Sequence, residues 1–199
     1  MIGRLPLDEQ LPALRETLCR NPAIPALLDR LAGMDLPGWY LTAGCLFQTV
    51  WNVATGREPA AGIRDYDVFY FDDTDLSWEA EDRVIKAGES ACADLGLTVE
   101  IRNEARVHLW YEERFGVPAA PYTSSEAAID SFAATTCCLG VRLRADGSWR
   151  VYAPHGLSDV FNLVVRPNPV LATEEVYRTK AARWRREWPS LTVMPWPTG

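Results

Sequence analysis

Arg64-Asp65-Tyr66-Asp67-Val68-Phe69-Tyr70-Phe71 reads as a β-strand that starts acidic and ends apolar. Its aromatic and β-branched content favours extended backbone, and Asp72-Asp73-Thr74-Asp75 breaks it. Asp65 and Asp67 are separated by one residue, so on a strand both carboxylates leave the same face, their Cα atoms about 7 Å apart. Two such groups repel each other unless a cation lies between them. Mg²⁺ commonly takes one or two carboxylates and completes its shell with water and substrate phosphate oxygens. The competing reading is a pair of strand-edge aspartates facing water.

Outward from this strand, helical and extended patterns alternate. Leu11, Leu14 and Leu18 recur at helical spacing over 8–20, and Leu27, Leu28 and Leu31 do so over 23–33. Trp39-Tyr40-Leu41-Thr42 is a short strand, and Ala43-Gly44 leads into a helix over 45–54. That helix is apolar around most of its circumference, so it is expected to be buried. Its one polar seam, Cys45, Gln48, Thr49 and Asn52, then has to face a polar cavity or backbone groups.

Downstream, Ser77 suits the N-cap of a helix to about Leu95, 97–102 is a strand, and Asn103 caps a helix over 104–114. Thr123-Ser-Ser-Glu126 reads as a capping box for a helix to about Ala133. Segments 136–144 and 149–152 form a hairpin around Asp146-Gly147, followed by a short helix over 157–163. The final helix, 174–187, puts Tyr177, Ala181, Trp184 and Trp188 on one face. The pattern predicts an α+β (α/β) domain. It is one domain over 1–199, with N-terminal helices to about 36, a core over 37–115 and a C-terminal extension over 116–199.

Composition narrows the function. Of 199 residues, 48% are hydrophobic, enough for a full apolar core, and no repeat or low-complexity run interrupts them. Lys and Arg number 20 against 27 Asp and Glu, a net charge of −7 that disfavours nonspecific binding to nucleic acid. No stretch approaches the roughly 18–20 apolar residues of a membrane span, and the N-terminus lacks the pattern of a secretory signal. Five cysteines without a C-x-x-C pair are read as reduced thiols, hence a cytoplasmic protein. With only His108 and His155, a zinc site is not expected.

A third carboxylate, Glu100, lies between Val99 and Ile101 on the next strand. If the two strands are neighbours, it can share a face with Asp65 and Asp67. Three carboxylates so placed can hold two metals, as in-line phosphoryl transfer requires. Haloacid dehalogenase-type phosphatases and D-x-D glycosyltransferases place the apolar run before the acidic pair, the opposite order. An EF-hand loop would need a Gly and a Glu that are missing.

The combination of a Gly-containing turn that opens a helix, D-x-D on the next strand and an acidic residue on the following strand resembles the nucleotidyltransferase superfamily. More specifically, four segments look like a small bacterial nucleotidyltransferase-like family once catalogued as a domain of unknown function: Ala43-Gly-Cys-Leu-Phe-Gln-Thr-Val-Trp-Asn, Asp65-Tyr-Asp-Val-Phe-Tyr-Phe-Asp-Asp, Val99-Glu-Ile-Arg-Asn-Glu-Ala-Arg-Val-His-Leu-Trp and Tyr152-Ala-Pro-His-Gly-Leu-Ser-Asp. The resemblance spans about residues 20–196. It implies a mixed β-sheet with helices packed on it, and Mg²⁺ (or Mn²⁺) held by Asp65 and Asp67. Glu100 would be the third ligand or the general base for the acceptor hydroxyl. Gly44 and Cys45 would take the Gly-Ser position, where backbone amides at a helix N-terminus meet the triphosphate. Cys45 stands in place of the usual serine and removes a hydroxyl donor.

Other residues carry two readings each. Arg64 and Arg102 either pair with a phosphate or neutralise the acidic cluster. Lys180 and Arg183 flank one side of the aromatic stripe on the final helix. They either balance the acidic excess or hold the triphosphate or an acidic acceptor. The function expected is Mg²⁺-dependent transfer of a nucleotidyl group from an NTP to a small acceptor. The alternatives are a non-catalytic nucleotide-binding or regulatory protein on the same fold, and a metal-dependent phosphohydrolase. Oligomeric state is not legible.

Overall fold

The computed structural model describes residues 2–197; Met1, Thr198 and Gly199, the ends of the domain expected over 1–199, lie outside the described residues. After a 3₁₀ turn at Ile2–Arg4 come helices α1 (Leu7–Cys19) and α2 (Ala23–Ala32). Strand β1 (Tyr40–Thr42) leads into α3 (Gly44–Ala54), then β2 (Tyr66–Tyr70), α4 (Trp78–Cys92) and β3 (Val99–Asn103). The second half holds α5 (Tyr111–Phe115), α6 (Ser125–Asp130), β4 (Gly140–Leu143) and β5 (Trp149–Tyr152). It ends with α7 (Ser158–Phe161), β6 (Val164–Val165), α8 (Glu174–Glu187) and β7 (Thr192–Val193).

Five strands form one mixed sheet in the order β3-β2-β1-β4-β5. Only β2 and β3 run parallel, joined through α4; the other neighbours are antiparallel. Residues 116–199, expected as a C-terminal extension, supply β4 and β5, two strands of the central sheet.

Alternation along the strands divides the sheet into two faces. Tyr66, Val68 and Tyr70 of β2 share one face with Leu41, Ile101 and Val141, all buried in the main apolar cluster. Fully buried leucines of α1 and α2 (Leu14, Leu18, Leu27, Leu28, Leu31) belong to the same cluster. Asp67 and Phe69 lie on the other face, with Thr42, Tyr40, Glu100 and Arg102 beside them in register. The strand is apolar towards the main cluster, and its other face, which carries Asp67, is covered around Tyr40 and Phe69 by a second small cluster with Ile129 and Cys138.

The aromatic stripe of α8 packs as its spacing predicts. Trp184 lies 5.3 Å from Phe47 and 5.9 Å from Trp51 of α3, and Trp188 lies 5.4 Å from Trp51 (ring centroids). The Tyr177 hydroxyl donates to the carbonyls of Val165 and Met194, tying α8 to the parallel β6–β7 pair. That pair of two-residue strands has no signature in the sequence.

Four local expectations are corrected. The helix read over 104–114 is a 3₁₀ run, Glu104–Leu109, and then α5, with Trp110 out of helical geometry between them. The cap of α6 is Ser124, which accepts from the Ala127 amide, not Thr123. Glu126 is thereby released from the capping box and instead accepts from the Tyr40 hydroxyl at 2.8 Å. The strand read over 136–144 begins only at Gly140, after a 3₁₀ turn at Thr135–Cys137. The short helix is confined to α7.

Among the described residues no helix is long and apolar enough to cross a membrane. All five cysteines are free thiols.

Candidate active site

Parallel pairing of β2 with β3 sets Asp67 opposite Glu100 and Phe69 opposite Arg102. Asp65, two residues before Asp67 and just outside β2, has the same strand parity. Burial pushes the Asp67 carboxyl up to about 7, and the charges of Asp65 and Glu100 add to it; Lys180 and Arg102 oppose the shift. Those five side chains therefore act on one another electrostatically although they come from β2, β3 and α8. The sequence singled out all five.

The second component is the start of α3. Thr42 pairs with Asp67 across β1–β2, and the chain then turns through Ala43, at φ +58° and ψ −139°, directly into the helix. No side chain caps α3. The first-turn amides have no intrahelical partners and carry the positive end of the helix dipole, a ready site for anions. A Cβ at Gly44 would come within 2.6 Å of Gln48 Nε2, the movable end of that side chain. Gln48 in turn lines a pocket of about 270 Å³ together with Arg64, Asp65, Arg183 and Trp184.

The polar seam of α3 finds the partners its burial demands. Thr49 Oγ1 donates to the Cys45 carbonyl and accepts from Asn21 Nδ2. Asn52 Nδ2 donates to the carbonyls of Pro59 and Ala61, and its Oδ1 accepts from Trp188 Nε1 at 2.9 Å. One buried side chain thus fastens both the loop that delivers Arg64 and Asp65 and the helix that delivers Arg183. Cys45 does not behave as a phosphate ligand. It is fully buried and its thiol donates to the Thr42 carbonyl at 3.3 Å. Burial, then Asp67 and Asp65, push the thiol well above its usual range, so it stays neutral.

Glu104 is a site-adjacent residue that the sequence reading left inside a helix. It is 4% exposed. Burial raises its carboxyl to about 8; Arg102 opposes the shift and Asp67 adds to it. The available signal was its i+2 parity with Glu100 and Arg102, carried just past the end of β3.

The remaining candidates are placed as follows. Glu100 pairs with Arg102 at 3.6 Å, both side chains more than 40% exposed. Lys180 and Arg183 are exposed, and neither makes an ion pair with a described residue. Asn103 caps the 3₁₀ run and also bonds both backbone groups of Asp72. Asp72 and Asp75 form local turns, accepting from the amides of Thr74 and Ser77.

No three His, Cys, Asp or Glu side chains among the described residues converge closely enough to form a metal-binding group. The arrangement is an open pair of aspartates with Glu100 held beside them by Arg102, not a closed cage. Open carboxylate pairs suit Mg²⁺ or Mn²⁺, which keep coordination positions for water and phosphate. A cation bound at Asp67 would have to compete with the proton that burial and the neighbouring carboxylates favour there. In donor type, the carboxylate pair fits the expected metal.

Comparison with the curated proteins gives no match. Among solved structures, the chain is similar to an NMR structure described as revealing a CCA-adding enzyme head domain, at 26% identity and a TM-score of 0.75. The alignment covers 98% of this chain and 100% of that one. A sequence family described as Nucleotidyltransferase matches residues 29–193, a span that takes in β1–β3, the start of α3 and α8. The chain belongs to the nucleotidyltransferase family.

Proposed function

We propose that the protein transfers a nucleotidyl group from an NTP to a small-molecule acceptor with Mg²⁺ as cofactor. The observation that carries this reading is the register that sets Asp67 opposite Glu100, with Asp65 at the same strand parity two residues earlier. Asp65 and Asp67 would hold the metal, which when bound supplies Lewis-acid polarisation and charge neutralisation at the phosphates. The α3 amides at Gly44 and Cys45 would receive the triphosphate, with Arg64 neutralising it from the loop before β2 and Lys180 and Arg183 from α8. The acceptor oxygen bonds to the α-phosphorus, the bond to the β-phosphate oxygen breaks, and pyrophosphate leaves with that electron pair. Glu100 takes the acceptor's proton once Arg102 releases it.

Incubation with each labelled NTP and a metabolite extract tests the reading. Pyrophosphate release by the wild type, absent in Asp67→Asn, supports it; inorganic phosphate release instead would indicate a phosphohydrolase. One observation favours a non-catalytic nucleotide-binding protein: Glu100 is engaged by Arg102 and the three carboxylates do not close into a cage. That reading predicts Mg²⁺·NTP binding with no pyrophosphate release.

A further inference from the structure

We propose that the groove between Trp78 and Trp110, at the free edge of β3, is the acceptor subsite, and that it takes a small molecule carrying one flat ring and one anionic group. This rests on the nucleotidyl-transfer reading above and supplies the substrate class that reading leaves open. The groove measures about 530 Å³, within the usual size of small-ligand sites. It shares no wall residue with the pocket that holds Arg64, Asp65 and Arg183. An acceptor and a triphosphate can therefore be bound together.

Trp78 opens α4 and is 53% exposed, whereas every other tryptophan is buried or half-buried. Its ring is nevertheless fixed. The Arg106 guanidinium lies over it, 5.6 Å from the ring centroid. Arg106 is itself buried, ion-paired with Glu81 and donating from Nε to the Leu76 carbonyl at 2.9 Å. A tryptophan held in place by a buried ion pair, with much of its surface in water, is a preformed stacking platform. Trp110 is the second aromatic wall, with the Arg114 guanidinium 6.0 Å from its ring.

The walls carry Arg102, Arg106 and Arg114 against Glu81 and Glu113; Arg106 and Glu81 pair with each other, which leaves two guanidiniums against one carboxylate, an excess of one positive charge. In a protein of net charge −7, that local excess selects for an anion. Arg102 connects the groove to the carboxylates, because the same guanidinium lines the groove and pairs with Glu100 at 3.6 Å. An anionic group seated on Arg102 competes with Glu100 for it. Acceptor binding thereby frees Glu100, directly across from Asp67, to take the acceptor's proton.

The test uses AMP and phenyl phosphate as ring-plus-anion probes, with adenosine and inorganic phosphate as the separate halves, titrated calorimetrically into the full chain. At least one of the two probes is expected to bind more tightly than either half. Trp78→Ala and Arg114→Ala should each weaken it about tenfold or more, while Mn²⁺·ATP affinity stays as in the wild type. Trp78 is exposed at a helix start, so its removal does not threaten the fold, which thermal melting checks. In Asp67→Asn, Mn²⁺·ATP binding should fall while probe binding persists. Failure of both probes to bind at millimolar concentration, or full probe affinity in both groove variants, overturns the acceptor subsite. Undiminished Mn²⁺·ATP binding in Asp67→Asn overturns the nucleotidyl-transfer reading instead.

Discussion

Asp67 lies directly across from Glu100 in the parallel β2–β3 register, and that adjacency helps burial raise the Asp67 carboxyl from 3.8 to about 7. Glu104, on the same side of the chain past β3, rises from 4.5 to about 8 for a similar reason, burial first. The folded protein therefore holds protons that the unfolded chain has already released. Stability from these two groups is complete below about pH 4 and is lost as pH rises through about 7 and 8. Thermal melting from pH 4 to 9 without divalent metal should show Tm falling over that window. Saturating Mn²⁺ should flatten the slope, since a cation replaces the Asp67 proton.

Asp67→Asn removes the charge that the site resists. The variant should melt higher than the wild type above pH 7 and lose part of the pH slope, leaving the portion due to Glu104. A variant that melts lower across the whole range would show that Asp67 is a structural partner rather than a strained ligand.

Ala43 adopts φ +58° between β1 and α3, a conformation that L side chains rarely take. Ala43→Gly should therefore stabilise the fold, by about 1 kcal/mol in denaturant unfolding after the entropy glycine gains in the unfolded chain. The strain sits where the chain turns from β1 into α3. Its position next to Thr42, the β1 partner of Asp67, ties it to the site.

Much of this was legible in the chain. The α8 stripe of Tyr177, Ala181, Trp184 and Trp188 has helical spacing, so its packing face followed, and the parity of Asp65 and Asp67 placed both on one face. What escaped depends on contacts distant in sequence. Nothing local says that Trp188 Nε1 meets Asn52 Oδ1 136 positions away, or that Glu126 leaves its capping box for Tyr40. The Cys45 thiol was read as a lost phosphate donor because the helix start shows residue type and not side-chain direction. Glu104 was missed because a helix assigned from Asn103 onwards hides the continuation of strand parity.

Cys45→Ser follows from that correction. The side chain at 45 points to the Thr42 carbonyl, so a serine hydroxyl should make the same bond and gain no contact with phosphate. Mn²⁺·ATP affinity is expected to remain within about twofold of the wild type, because the proposed function assigns phosphate binding to the backbone amides. A large gain would place the side chain in the site after all.

Asn52→Ala should cost about 2–4 kcal/mol in denaturant unfolding, since it strands Trp188 Nε1 and the carbonyls of Pro59 and Ala61 together. Because the same residue fastens the loop before Arg64 and the helix carrying Arg183, nucleotide affinity should fall with stability. Asn52→Asp, which keeps the acceptor for Trp188 and loses both donors, should separate the two effects: α8 stays docked while the loop loosens.

The central claim is that Asp65 and Asp67, with Glu100 beside them, take a divalent cation together with a nucleotide. Titration of Mn²⁺ followed by electron paramagnetic resonance, with ATP present, tests it most directly on wild type and Asp67→Asn. The account predicts saturable Mn²⁺ binding by the wild type that requires ATP for full affinity, weakened about tenfold or more in the variant. Equal Mn²⁺·ATP affinity in two equally well-folded proteins would contradict it.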